Sequence, residues 1–301
     1  MDSYRQAVSI LPEPLRTGAL GVGQPYMVKT EEIRLRIGRV PSLVLPEGEM
    51  DITNAAAVTG KDLVHLVEIA SRWSMHAVLE QLRRGYLSVE GGHRLGLCGT
   101  VIMDGEQVQN LRDISSADLR VARQLRGIAR TVAGQLWQDG QLQNTLILAP
   151  PGAGKTTLLR DLIRCVSEGE VGPPQRVAVA DERGELAAVW QGRPQMELGR
   201  CTDVLDGCPK AQAIPMLLRG MSPQVIAVDE ITQREDIRAI EQAVGCGTAL
   251  LATAHGSGTA DLRRRPLYRD LVEKRIFHKL VTIRVEEGGR KMAVTSMEEI
   301  P

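Results

Sequence analysis

Aromatic residues are scarce in this sequence: one Phe, four Tyr and three Trp among 301 residues. So few rings leave little from which to build the stacking platforms that hold single-stranded nucleic acid. The core must instead come from Leu, Val, Ile and Ala. An excess of one charge is equally missing, with 37 basic residues against 37 acidic ones. No global basic field therefore argues for nucleic acid or an anionic membrane as an obligate partner. Five cysteines, at 98, 165, 201, 208 and 246, form no C-x-x-C pair, which excludes a zinc ribbon and suits no disulfide framework. They are expected to be small buried hydrophobes in a reducing compartment. No run approaches the ~18–20 apolar residues that span a bilayer. The opening segment carries an early Asp and lacks a long apolar stretch, so it does not read as a secretory signal. A cytoplasmic protein is expected, free to dock on a membrane complex.

What is present falls into two patterns. Residues 1–125 read as a small α+β domain. "EEIRLRIGRVPSLVL" (31–45) alternates Ile33, Leu35 and Ile37 with charged residues, the period of a half-buried strand. "GKDLVHLVEIASRWS" (60–74) sets Leu63, Leu66, Val67 and Ala70 on one helical face. "MHAVLEQLRRG" predicts a second helix ending at Gly85, and residues 86–114 predict an antiparallel meander turning at Gly91-Gly92 and Asp104-Gly105. Residues 115–141 read as a basic connector and an amphipathic helix, with 126–143 as the linker helix. From 144 to 301 short apolar runs alternate with helical segments, which implies a mainly parallel sheet with helices on its faces. Strands are expected over 145–149, 176–181, 224–229 and 248–253, and a closing hairpin at Gly288-Gly289.

The stretch "LILAPPGAGKTTLLRDLIR" (146–164) carries the chemistry. It departs from the phosphate-loop pattern G-x-x-x-x-G-K-[ST] only at its first position, where Ala149 stands for Gly. Ala149 is tolerable there provided its backbone is not at positive φ. Pro151, Gly152, Ala153 and Gly154 would form a loop whose N–H groups point inward at the start of a helix, an anion site. Lys155 would reach the β- and γ-phosphates, the Thr156 hydroxyl would ligate Mg²⁺, and Thr157 completes the cradle. A chance G-x-G-K-T in an ordinary loop would not bring strand, loop and helix into this order.

Three further strand ends follow. "QVIAVDEI" (224–231) places Asp229 and Glu230 at the carboxyl end of a buried strand, where open α/β sheets meet their ligands. Asp229 would hold Mg²⁺ through water, and Glu230 would orient and deprotonate the attacking water. "VAVADERGELA" (177–187) brings Asp181, Glu182 and Arg183, and "LLATAHGSG" (250–258) brings His255, which could hydrogen-bond the γ-phosphate. Glu182 is the alternative base. Arg183, Arg193 and Arg200 are candidates to act across a subunit interface. Arg120 and Arg123 could touch nucleotide or the domain interface.

The order of phosphate loop, Asp-Glu box, Asp-Glu after an apolar strand and T-x-H-G resembles the secretion ATPases of type II and type IV systems. "EEIRLRIGRVPSLV", "GGHRLGLCGTVI", "LRDISSADLRVARQ" and "ADERGELAAVWQG" look like the sporulation branch of that family, over residues 30–300. The resemblance implies a RecA-like P-loop ATPase domain preceded by a smaller α+β domain, binding ATP and Mg²⁺ in a homo-oligomer, a hexamer. It implies partners among the membrane components of the channel between mother cell and forespore, with the protein peripheral at the mother-cell membrane face. It matches Asp181, Glu182 and Arg183 to the acidic box, Asp229 and Glu230 to Walker B, and His255 to the His box. Two departures stand out: Asp229 replaces the Gly common before the Walker B Glu, and the type II zinc module is absent. A nucleic-acid-dependent motor and a slow nucleotide-gated scaffold are the competing readings.

Overall fold

The computed structural model describes residues 3–72, 79, 81–83, 85–286 and 289–299. The chain divides into two compact units, Met1–Arg123 with Ala188–Gln195, and Gln124–Ala187 with Met196–Pro301. The second helix expected after residue 74 falls largely outside the described residues.

In the first unit six antiparallel strands are ordered β3-β2-β1-β6-β5-β4. Their ranges are Glu32–Arg36 (β1), Ser42–Leu45 (β2), Gly48–Asp51 (β3), Tyr86–Val89 (β4), His93–Asp104 (β5) and Gln107–Arg120 (β6). The alternation holds in β1, where Ile33 and Leu35 are fully buried, but it stops there. Ile37 lies beyond the strand and is 48% exposed, because the backbone turns at Gly38, φ 77°. One helix, Gly60–Ala70, buries Leu63, Leu66, Val67 and Ala70 against the sheet, as its spacing predicts. It starts at a reciprocal cap: the Asp62 N–H donates to the Thr59 hydroxyl and the Thr59 N–H to the Asp62 carboxylate. Residues 115–120, expected in a connector, are instead the end of β6. Ala117 and Leu119 are buried there, and the strand pairs with both β1 and β5.

In the second unit seven strands are ordered β11-β10-β12-β13-β9-β14-β15. They are Thr145–Ala149 (β9), Val177–Asp181 (β10), Thr202–Asp206 (β11), Val225–Glu230 (β12), Ala249–His255 (β13), Lys279–Glu286 (β14) and Gly289–Ser296 (β15). All neighbours are parallel except the closing β14–β15 hairpin. Strands β9 and β10 are buried at every position, as central parallel strands covered on both faces must be. One face buries Leu146, Leu148, Ile226, Val228, Leu250 and Ala252 with residues of the helices Lys210–Met221, Arg234–Gly245 and Pro266–Glu273. The helix Lys155–Glu168 follows β9 and buries Leu158, Leu159, Leu162 and Ile163. Truncating any of these Leu side chains to Ala should cost about 2–5 kcal/mol.

The helix expected over 126–143 is a correction. Only Arg130–Ala133 is α-helical; a 3-10 turn Gly134–Leu136 follows, then a small hairpin of Trp137–Gln138 (β7) and Gln141–Leu142 (β8). Asp139 and Gly140 both take positive φ, 50° and 75°, a turn that a helix cannot absorb. Strand β11 carries no signal, since none of its residues is buried. The cysteines are also corrected: Cys165 is buried, but Cys98 and Cys246 are exposed. Among the described residues no helix is long and apolar enough to cross a membrane.

Candidate functional site

Because β9, β10, β12 and β13 are parallel, their carboxyl ends meet along one edge, and the predicted residues collect there. Ala149 ends β9 at 1% exposure and is absent from the residues at positive φ, so nothing at this position requires Gly. The loop turns instead at Gly152, φ 73°, and Gly154, φ 102°, conformations costly for any other residue. Pro151 is exposed and Ala153 buried, and Lys155, Thr156 and Thr157 open the helix. The loop leads into the N-terminus of a 14-residue helix, the kind of end at which backbone N–H groups can take an anion.

At this loop three of the predicted side chains are joined in a line. Lys155 Nζ lies 3.2 Å from the Pro150 carbonyl and 2.8 Å from His255 Nδ1. His255 Nε2 lies 2.9 Å from Glu230 Oε2. An ammonium only donates and a carboxylate only accepts, so both contacts hold together when Nδ1 is the acceptor and Nε2 carries the proton. Burial holds the Lys155 ammonium below its ordinary pKa, against the raising pull of Glu230 and Asp229.

Strand β12 delivers two carboxylates to one side by an irregularity. Val228 pairs with Ala252 but Glu230 pairs with Thr253, so Asp229 is an extra residue bulged out of the ladder. Asp229 Oδ1 accepts from the Thr253 hydroxyl at 3.2 Å, while Glu230 contacts His255. Thr253 and His255 are two apart on β13 and share a face, so the consecutive acids share it as well. Burial raises the Asp229 pKa. Among the described residues no group of three or more His, Cys, Asp or Glu could enclose a metal. The oxygen donors available, the Thr156 hydroxyl and Asp229, nevertheless suit Mg²⁺, which keeps most of its waters and takes few protein ligands.

In the acidic box, Asp181 is turned toward the loop that follows it. Asp181 is fully buried, and its two oxygens accept backbone N–H groups of Glu185, Leu186 and Ala187 at 2.8–3.2 Å. It anchors the following loop. Arg160 grips the same loop from the phosphate-loop helix, donating to the carbonyls of Leu186 at 2.8 Å and Glu185 at 2.6 Å. Glu182 is paired with the ammonium of Lys210, whose side chain is 4% exposed. Arg183 is 57% exposed, with NH1 3.9 Å from Glu230 Oε2. Arg200 pairs with Glu168. Arg123 donates to the carbonyls of Thr30 and Met27, and Arg120 pairs with Glu32 and Asp118, all inside the first unit. Arg160 and Lys210 escape sequence reasoning: each acts on a segment more than twenty residues away, and no local spacing marks them.

Comparison with known proteins gives the family and the fold. The family model described as "Sporulation stage III, protein AA" matches residues 1–297. Stage III sporulation protein AA of Bacillus subtilis (strain 168) is 38% identical over 284 residues, 94% of this chain and 92% of that protein. Among solved structures, the pilus retraction motor PilT with bound ADP superposes with a TM-score of 0.62 at 15% identity, covering 88% of this chain and 78% of the other. The Legionella pneumophila ATPase DotB gives 0.57 at 16% identity, over 90% and 78%. The fold is that of the RecA-like secretion ATPases.

Proposed function

The chain belongs to the stage III sporulation protein AA family, and on that premise we propose that it is an ATP-hydrolysing ring motor of the secretion-ATPase kind. The carrying observation is the line Lys155–His255–Glu230, which ties the phosphate cradle to a carboxylate positioned as a base. The loop N–H groups and Lys155 take the phosphates. Thr156, and Asp229 through water, would hold Mg²⁺, which would neutralise charge on the phosphate chain. Glu230 orients and deprotonates the attacking water, and His255, hydrogen-bonded to Glu230, reports the γ-phosphate. Glu182, already neutralised by Lys210, is the weaker candidate for the base. The ring, a hexamer, works in the cytoplasm at the mother-cell face of the membrane. It energises assembly of, or transport through, the mother cell–forespore channel by acting on that channel's membrane components.

Purified protein should hydrolyse ATP with Mg²⁺ and gain mass by light scattering with a non-hydrolysable analogue. Lys155→Ala should weaken ATP binding and fail to assemble. Glu230→Gln should bind ATP about normally while turnover falls by ~10²–10⁴. Turnover at the native rate in Glu230→Gln would transfer the base role to Glu182. Turnover that requires DNA and falls steeply with salt would move the reading to a nucleic-acid motor.

A further inference from the structure

The hairpin β14–β15 runs beside the phosphate-loop strand. Strand β14 pairs in parallel with β9 as far as Thr282 opposite Leu148, and its last residues continue past the point where β9 ends. Strand β15 returns alongside, with Arg290 opposite Val285 and Lys291 opposite Arg284. Directly opposed residues of an antiparallel pair share a face, and successive pairs alternate. Arg290 and Arg284 therefore sit on opposite faces of one hairpin.

The two faces have different surroundings. Arg284 and Lys291 line a cavity of about 530 Å³ with Leu148, Ser257 and Thr295. Arg290 lies over the phosphate loop. A Cβ placed on Gly154 would be 3.4 Å from Arg290 Nε, 3.7 Å from Cδ and 3.9 Å from Cζ. The guanidinium thus stands where a side chain on Gly154, the N-cap of the helix, would reach. Among the described residues it makes no hydrogen bond or ion pair. An arginine left unpaired beside the glycine loop at the start of the helix adds a second side-chain cation to Lys155, from the same chain. Its planar fork of donors suits oxygens of a phosphate chain better than a lone ammonium does.

From these positions we infer that Arg290 is a nucleotide-positioning residue acting in cis, donating to the phosphate chain of a nucleoside triphosphate seated in the 150–156 loop. This rests on the nucleotide reading above. The test is calorimetric titration of the full chain with ATP and, separately, with inorganic tripolyphosphate, each with Mg²⁺. Arg290→Ala should lose about 10-fold or more in affinity for both ligands, the scale of one charge-assisted contact. Arg290→Lys should fall between. Arg284→Ala, with the same charge change on the opposite face, should bind as the native chain does. Arg290 is exposed, so its loss should leave the unfolding temperature unchanged. Native ATP affinity in Arg290→Ala, or a loss confined to ATP with tripolyphosphate unaffected, overturns the inference while the nucleotide site stands. Absence of saturable ATP binding by the native chain overturns the nucleotide reading, and this inference with it.

Discussion

At the scale of single residues, the placement of one motif is legible in the sequence and its supports are not. Lys155, Asp229 and Glu230 could be placed from sequence because the backbone around each is fixed locally, by a Gly loop or a strand end. His255 needed the fold to bring it 2.8 Å from a lysine one hundred residues earlier. Burial works through residues the function does not use, as His93 shows. It is 1% exposed, and its Nδ1 accepts the Ala122 N–H at 2.9 Å. Burial first, then the charge of Arg123, lowers its pKa to about 4. Unfolded, it titrates near 6.5. Between those values the unfolded chain binds the extra proton, so stability falls as pH drops from about 6.5 to about 4, and no further below that. The loss attributable to His93 should reach roughly 3 kcal/mol at most. Hydrogen exchange in β4–β6, corrected for intrinsic rates, should show this slope in the native chain. A shallower slope is expected in His93→Gln, whose amide oxygen can still accept from Ala122. An unchanged slope would assign the pH dependence to other groups.

At the scale of elements, apolar runs foretold the four central strands of the second unit because burial on both faces leaves an uninterrupted signal. The same logic hid β11, none of whose residues is buried, and misread 126–143, where a turn at Asp139-Gly140 outweighs amphipathic spacing. The loop after β10 shows how an element is held once local signals end. Asp181 from below and Arg160 from the side satisfy its backbone, N–H groups by one and carbonyls by the other. Asp181→Asn is nearly isosteric but replaces an accepting oxygen with a donor, so at least one buried N–H loses its partner. That should cost roughly 1–3 kcal/mol. Denaturant unfolding of the full chain should register it. Turnover should fall too, because Glu182 and Arg183 ride on the same loop, whereas ATP affinity should change little. A large loss of ATP affinity at native stability would mean instead that Asp181 meets the nucleotide.

At the scale of the whole molecule, the open question is whose arginine serves whose site. The sequence puts forward three arginines, Arg183, Arg193 and Arg200, to reach across a subunit interface. The geometry supplies two from the same chain. Arg290 lies over Gly154, and Arg183 stands 3.9 Å from Glu230. Mixing subunits separates the alternatives. In a ring combining Arg183→Ala with Glu230→Gln protomers, a cis arrangement leaves every site with one defect, so turnover stays at the level of the parents. A trans arrangement makes some sites from an intact Glu230 on one protomer and an intact Arg183 on its neighbour, and those sites recover. The close approach of Arg183 to its own Glu230 leads us to expect no recovery, measured as ATP turnover per protomer across mixing ratios. Recovery that peaks near equal mixing would return Arg183 to the interface. In that event its contact with Glu230 must break when neighbouring protomers close, because one guanidinium cannot serve both sites at once.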